Sequence, residues 1–444
     1  MKYAIPSCCS WMFTCAASLG ISQVIAFTAV PPAGYQAIFN GQDLSGWWGA
    51  TTEDPRKYLA LSPEDFKQKH DASLPDIQAH WRVENEELIN DGKGLYLTTD
   101  KNYRDFELLL DYRTVPKADS GIYLKGTPQV QIWDYTEQAK FKLGADKGSG
   151  GLWNNRAGSP GKDPAVLADK PFGEWNHFKV VQLGTRTWVW LNDKQVVENA
   201  IHENYYDKAR VIPLPPEGPL QLQTHGGEIR WRNVFVHEPS AEEANAMLRG
   251  KDPEGFEPIF NGKDFTGWDG PIDNYEVKDG AIVCKPKKGG TIFTKEEYSD
   301  FIVRLEINLP PGGNNGLAIR YPGQGDTAYV GMCEIQVLDD NYEKARNAKI
   351  DPRQAHGSAY GMVAAQRGYH RPNGQWNYEE VTVVGSKIKV ELNGTVILDC
   401  DLSKVTEYMG NHPHPGKDRT QGFFGFAGHN DPVMFRNISI KKLK

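Results

Sequence analysis

Polar and apolar residues alternate along Glu334-Ile335-Gln336-Val337-Leu338-Asp339, and again along Gln129-Val130-Gln131-Ile132-Trp133-Asp134. Successive side chains of a strand point to opposite faces. Glu334 and Gln336 therefore share one face and Ile335 and Val337 the other. The apolar face predicts a core, and the polar face either meets water or lines a groove. Short alternating runs recur at 106–112, 178–182, 187–191 and 195–198, punctuated by Gly, Pro, Asn and Asp. Leu191-Asn192-Asp193-Lys194 and Leu392-Asn393-Gly394-Thr395 each join two such runs by a tight turn, which predicts hairpins.

The pattern is also duplicated. Phe39-Asn40-Gly41-Gln42-Asp43-Leu44-Ser45-Gly46-Trp47 returns as Phe260-Asn261-Gly262-Lys263-Asp264-Phe265-Thr266-Gly267-Trp268, and Tyr103-Arg104-Asp105-Phe106 as Tyr298-Ser299-Asp300-Phe301. Ser120-Gly121 matches Asn315-Gly316, Trp175-Asn176 matches Trp376-Asn377, and Arg232-Asn233 matches Arg436-Asn437, all in the same order. The chain is read as two tandem copies, 34–238 and 255–444. Many short strands in some 200 residues predict an all-β fold, two antiparallel sheets face to face in each copy, as a jelly-roll sandwich. The first copy carries an insertion at 49–80, a lid or a solvated excursion, with Ser62-Pro63 opening a helix. A linker at 239–254 contains Ser240-Ala241-Glu242-Glu243, which predicts a capped helix.

A length of 444 residues suits two cores, and a net charge of −7 without a basic block excludes a nucleic-acid or polybasic membrane surface. Lys2 followed by an apolar run over 11–27 reads as a signal peptide at 1–29, giving an exported, periplasmic or extracellular protein with no transmembrane span in the mature chain. A membrane anchor is the alternative, against which Thr14, Ser18, Ser22 and Gln23 interrupt the run, and Met12-Phe13-Thr14 is a poor lipobox before Cys15. Cys284, Cys333 and Cys400 remain, as one bridge and a thiol or as three buried thiols, with no zinc spacing. Oligomeric state is not set by any of this.

Three features converge on one polar face. Gly121, Tyr123 and Lys125 alternate together, as do Gly316, Ala318 and Arg320, placing a cation behind a glycine that would leave room for a ring; a solvated surface strand is the plain alternative. Gln129 and Gln131 in copy one, and Glu334 and Gln336 in copy two, suit hydrogen bonding to sugar hydroxyls. Asp134 and Asp339 end their strands, to cap a turn or to bind a cation of the calcium or manganese class. Gln221, Gln223 and His225 share a face, with Glu228 nearby, and His429 holds the place of His225 in copy two. His356 and Tyr360 fall where copy one has Ser149 and Trp153. Trp175 and Trp376 are expected in the core, and Asn176 and Asn377 in turns. No phosphate-cradling loop, nucleophile elbow or metalloprotease helix occurs, so no organic cofactor is expected.

Together these motifs resemble the 3-keto-disaccharide hydrolase domain family, of concanavalin-like or glucanase-like jelly-roll fold, over nearly all the mature chain. The resemblance implies cleavage of carbohydrates oxidised at C3: a base removes the C2 proton, the enolate expels the C1 substituent and water adds. It implies His429 or His356 as base or acid, Arg320 as enolate or substrate clamp, Glu334 as acid or metal ligand beside Asp339, and Gln336 and Tyr360 contacting sugar. Copy one, with Gln129 for the carboxylate, is expected to bind sugar through Lys125, Gln129, Gln131, Gln221, Gln223 and His225 or to use Glu228 as its acid. A lectin-like binder, a retaining glucanase and an adhesion module are the other readings, the glucanase disfavoured because Gln336 stands where a second carboxylate is needed.

Overall fold

A computed structural model describes residues 30–443 of the chain, so the expected leader and its cysteines lie outside the described residues. The rest folds as two β-sandwiches in tandem, each with an eight-stranded and a five-stranded sheet, all strand pairs antiparallel. Both hairpin turns form as their sequences require. Leu191 pairs with Lys194 and Leu392 with Thr395, and the turn residues Asn192, Asp193, Asn393 and Gly394 all take positive φ. Ile335, Val337 and their neighbours fill the core of the second sandwich, and Val130 and Ile132 that of the first.

The repeated motifs do the same structural job twice. Asn40 Oδ1 accepts from the amides of Gln42 and Asp43, and Asn261 Oδ1 from Lys263 and Asp264, while the indoles of Trp47 and Trp268 donate to Ile38 and Ile259 carbonyls. In the closing strands, Arg232 and Asn233 clasp Asp111, and Arg436 and Asn437 clasp Glu306. Trp175 and Trp376 lie outside the core, contrary to expectation, as half-buried platforms under Arg232 and Arg436 at 4.1 and 4.0 Å. Asn176 and Asn377 do satisfy turns, accepting from the Lys170 and Arg371 amides. All three described cysteines are free, Cys284 and Cys333 buried and Cys400 half-buried.

The helix Ala241–Gly250 opens on the capping box of Ser240 and Glu243. It inserts Ala244 and Leu248 between Val181, Leu183 and Trp188 of the first copy and Tyr378 of the second. Beside this apolar seam, Lys251 lies 2.9 Å from Glu380 and 3.1 Å from Glu391, and Arg186 pairs with Glu391 from the first copy. Arg371 reaches Asp105 at 3.3 Å. No described helix is long and apolar enough to cross a membrane.

Candidate active site

The five-stranded sheet of the second copy runs Trp268–Asp269, Gly289–Tyr298, Gly422–His429, Asn314–Tyr321, Cys333–Leu338. His429 and Glu334 therefore stand on strands separated by one other. Gly316, on the strand between, lets them meet: a Cβ there would lie 2.2 Å from Glu334 Oε1. The glycine makes room for this carboxylate rather than for a sugar ring. Glu334 Oε1 lies 3.7 Å from His429 Nε2, with Glu334 buried and the imidazole half exposed. Burial raises the Glu334 carboxyl above its usual range against the opposing pull of His429, and Glu334 raises the imidazole in turn.

A cleft of about 660 Å³ opens over this pair, lined also by Gln336, Asn314, Asp326, Gln354 and three tyrosines, Tyr329, Tyr342 and Tyr360. Gln336 is nearly fully buried. Its Nε2 donates to Asn314 Oδ1 at 2.7 Å, and its Oε1 is buried with no partner among the described residues. The Tyr360 hydroxyl accepts from Gln354 Nε2 at 3.1 Å. The structure thus brings together Glu334, His429, Gln336 and Tyr360 of the residues expected from sequence. Asp326, Tyr329, Tyr342, Asn314 and Gln354 were missed. One signal for the first two was available: glycine and central-strand residue are eight positions apart in copy one (Gly121, Gln129) but eighteen in copy two (Gly316, Glu334), so copy two has a longer hairpin.

Other expected residues are placed elsewhere. Arg320 does not face the cleft. It takes a φ of 48°, the register shifts between Ala318 and Tyr321, and the side chain turns to the sandwich edge. There it donates to the carbonyls of Ser299, Gly385 and Arg419 and to Asp300. Lys125, with a φ of 54°, does the same, donating to the Gly184 carbonyl at 2.8 Å. Both cations are structural anchors. His356 is buried behind the site strand, where Nδ1 accepts from the Leu338 amide at 3.3 Å and Nε2 lies 2.7 Å from Glu379. His356 and Tyr360 lie in turns on either side of Gly357, which takes a φ of 75°, and only Tyr360 reaches the cleft. Ser149 Oγ fills the His356 role in copy one, accepting from the Trp133 amide.

Asp339 caps a turn, accepting from the Gly312 and Asn341 amides, and does not line the cleft. Among the described residues no group of three or more His, Cys, Asp or Glu side chains is placed to hold a metal ion. Of the two residues expected to hold a metal ion, Glu334 lines the cleft and Asp339 does not.

In copy one the matching face is covered by its own insertion. The helices Pro55–Leu59 and Pro63–His80 follow its sheet, Thr52 Oγ1 lies 3.1 Å from the Tyr123 hydroxyl, and a Cβ on Gly126 would meet the Tyr58 hydroxyl. Gln129, Gln131, Gln221 and Gln223 are all buried, Gln129 donating to Gln131, and Gln131 and Gln221 donating to Asp119 and Thr98. Glu228 pairs with Arg230 and Arg82. His225 stands exposed at the rim, 3.5 Å from Asp119.

A 3-keto-disaccharide hydrolase of Bacteroides thetaiotaomicron is 26% identical over 245 residues, 46% of this chain and 83% of that protein. Two crystal structures from Parabacteroides distasonis, provisionally named glycosyl hydrolases, are 26% and 29% identical. They cover 43% and 42% of this chain and 96% and 99% of their own, each with a TM-score of 0.38. The family described as the 3-keto-alpha-glucoside-1,2-lyase-like domain matches residues 34–237 and again 255–441. The chain belongs to that family, as a tandem pair of its domains.

Proposed function

We propose that the second copy cleaves the glycosidic bond of sugars carrying a ketone at C3, and that the first is a covered, non-catalytic partner. The observation that carries this reading is the buried Glu334 beside the half-exposed His429, 3.7 Å apart in the cleft. A C3 ketone acidifies the C2 proton. Glu334, its carboxyl raised by burial, takes that proton, and the electrons pass into the C3 enolate. The enolate reforms the ketone as the C1–O bond breaks, leaving a C1=C2 double bond. His429, its imidazole raised by contact with Glu334, gives its proton to the departing oxygen. Water then adds at C1, and a proton returns to C2.

Two neighbouring groups with opposite tasks need environments that act on each differently, and here burial raises the Glu334 carboxyl while contact with Glu334 raises the His429 imidazole. The cleft lining holds no lysine or arginine for the enolate oxygen, Arg320 lying at the sandwich edge. The hydroxyls of Tyr329, Tyr342 and Tyr360 are the donors that line it. Gln336 Oε1 orients the ring through a hydroxyl.

The test is release of aglycone from a 3-keto-glycoside and from its unoxidised parent, by wild type, Glu334→Gln and His429→Ala. Release from the keto sugar alone is expected, with each variant slower by about 10²- to 10⁴-fold and an unchanged melting temperature. Wild-type turnover in both variants would sink the assignment. A lectin-like reading is favoured by the tyrosine walls and the unpaired Gln336 acceptor; it predicts binding of both sugars and cleavage of neither.

A further inference from the structure

The second copy departs from the first most usefully in one hairpin. Lys125 and Gly126 alone join the strands Ser120–Leu124 and Thr127–Ile132, whereas residues 322–332 join Asn314–Tyr321 to Cys333–Leu338. This longer hairpin contains the turn of helix Thr327–Val330 and contributes Asp326, Ala328 and Tyr329 to the wall of the cleft. Its position is fixed from behind, because His414 Nδ1 lies 2.8 Å from the Ala328 carbonyl and the Gly416 amide donates to the Tyr329 carbonyl. Asp326 caps the helix, its Oδ1 accepting from the Ala328 amide at 3.1 Å, and the residue is otherwise exposed at the mouth of the cleft.

The lining therefore holds two carboxylates, Glu334 and Asp326, and no lysine or arginine. The nearby arginines face acids of their own, Arg353 toward Asp351 and Arg346 toward Asp431. The field of Asp326 reaches the reacting pair, raising both Glu334 and His429 as a smaller contribution beside the effect of burial and of their mutual contact. A bound ring lying over that pair would feel the same field. One like charge fixed at the rim of a partly desolvated cleft discriminates by repulsion rather than by contact.

We propose that Asp326, brought in by the longer hairpin, is a specificity residue that selects substrates by charge: the cleft admits neutral sugars and rejects sugars bearing a carboxylate, sulfate or phosphate on the bound ring. The inference rests on the sugar-cleaving reading above. The probes are two 3-keto-glycosides of one aglycone, with a hydroxymethyl or a carboxylate at C6, given to wild type and Asp326→Asn at low and high salt. Asparagine keeps the helix cap. Wild type is expected to favour the neutral sugar in kcat/KM by about tenfold or more, and Asp326→Asn or added salt to shrink that ratio several-fold. Equal use of both sugars by wild type, or a ratio unmoved by Asp326→Asn, overturns the proposal. If neither sugar is cleaved, the cleavage reading fails, and calorimetric binding of the same two sugars decides the filter: tighter binding of the neutral sugar, relaxed by Asp326→Asn, supports it, and equal affinities refute it.

Discussion

Gly316 decides more about the site than any charged residue around it. A methyl group there would sit on the Glu334 carboxylate, so Gly316→Ala is expected to displace it and cut turnover by about 10²-fold while the sandwich still melts as one. Gly121→Ala, which meets Gln129 Cδ at 3.0 Å in the covered copy, is expected to leave turnover unchanged. The pair beneath also fixes the pH profile. The proposed cleavage needs Glu334 ionised and His429 protonated, so the rate should rise as pH climbs through the raised carboxyl and fall above the raised imidazole. In Glu334→Gln the imidazole loses its partner, and its titration by NMR should move to lower pH. Glu334, Gln336, Tyr360 and His429 were legible because they follow from strand alternation and from the repeat. Arg320 and His356 were not, because Arg320 takes a left-handed conformation and His356 lies in a turn, and no periodicity reports either.

At the scale of elements, the two copies diverge through what is inserted rather than through the strands themselves. The first copy places its insertion helices against its own polar face, and the second lengthens one hairpin to wall a cleft. The strand-end cation is common to both and holds the sandwich edge. Arg320→Ala leaves three part-buried carbonyls without this donor, while Asp300 keeps the Gly385 amide, and is expected to destabilise the second copy by roughly 2 kcal/mol, measured as a lower urea midpoint. Arg320→Lys, which copies Lys125, should cost clearly less. The antiparallel sandwiches, the hairpin turns and the capped helix were all readable from turn chemistry and period. The insertion at 49–80 stayed open between a lid and a solvated excursion because its composition averages exposed charges with a few contact residues. Tyr58 and Ser73, which are buried against the sheet, were hidden in that average.

At the scale of the whole molecule, the copies are joined by a seam part apolar and part charged, and the charged part responds to acid. Burial alone would raise Glu391, but Lys251 and Arg186 outweigh it and hold the carboxyl at about 2, against an ordinary 4.5. An acid lowered on folding contributes stability that is complete above its unfolded value and lost as pH falls through its folded one. The seam should therefore weaken between pH 4.5 and about 2, seen as separation of the two unfolding transitions in a calorimetric scan. Nothing in the sequence announced this seam, since Arg186, Lys251 and Glu391 lie far apart in the chain and only the packing of the two copies unites them. Abstraction of the C2 proton of a 3-keto sugar by Glu334, as proposed for the second copy, leaves its mark in hydrogen exchange. The protein is incubated in D₂O with a 3-keto-glycoside, and the C2 proton of the remaining substrate and of the released sugar is followed by NMR. Deuterium at C2 of the released sugar with wild type, and none above the enzyme-free rate with Glu334→Gln, is the predicted result. Aglycone release with the C2 proton fully retained would contradict it.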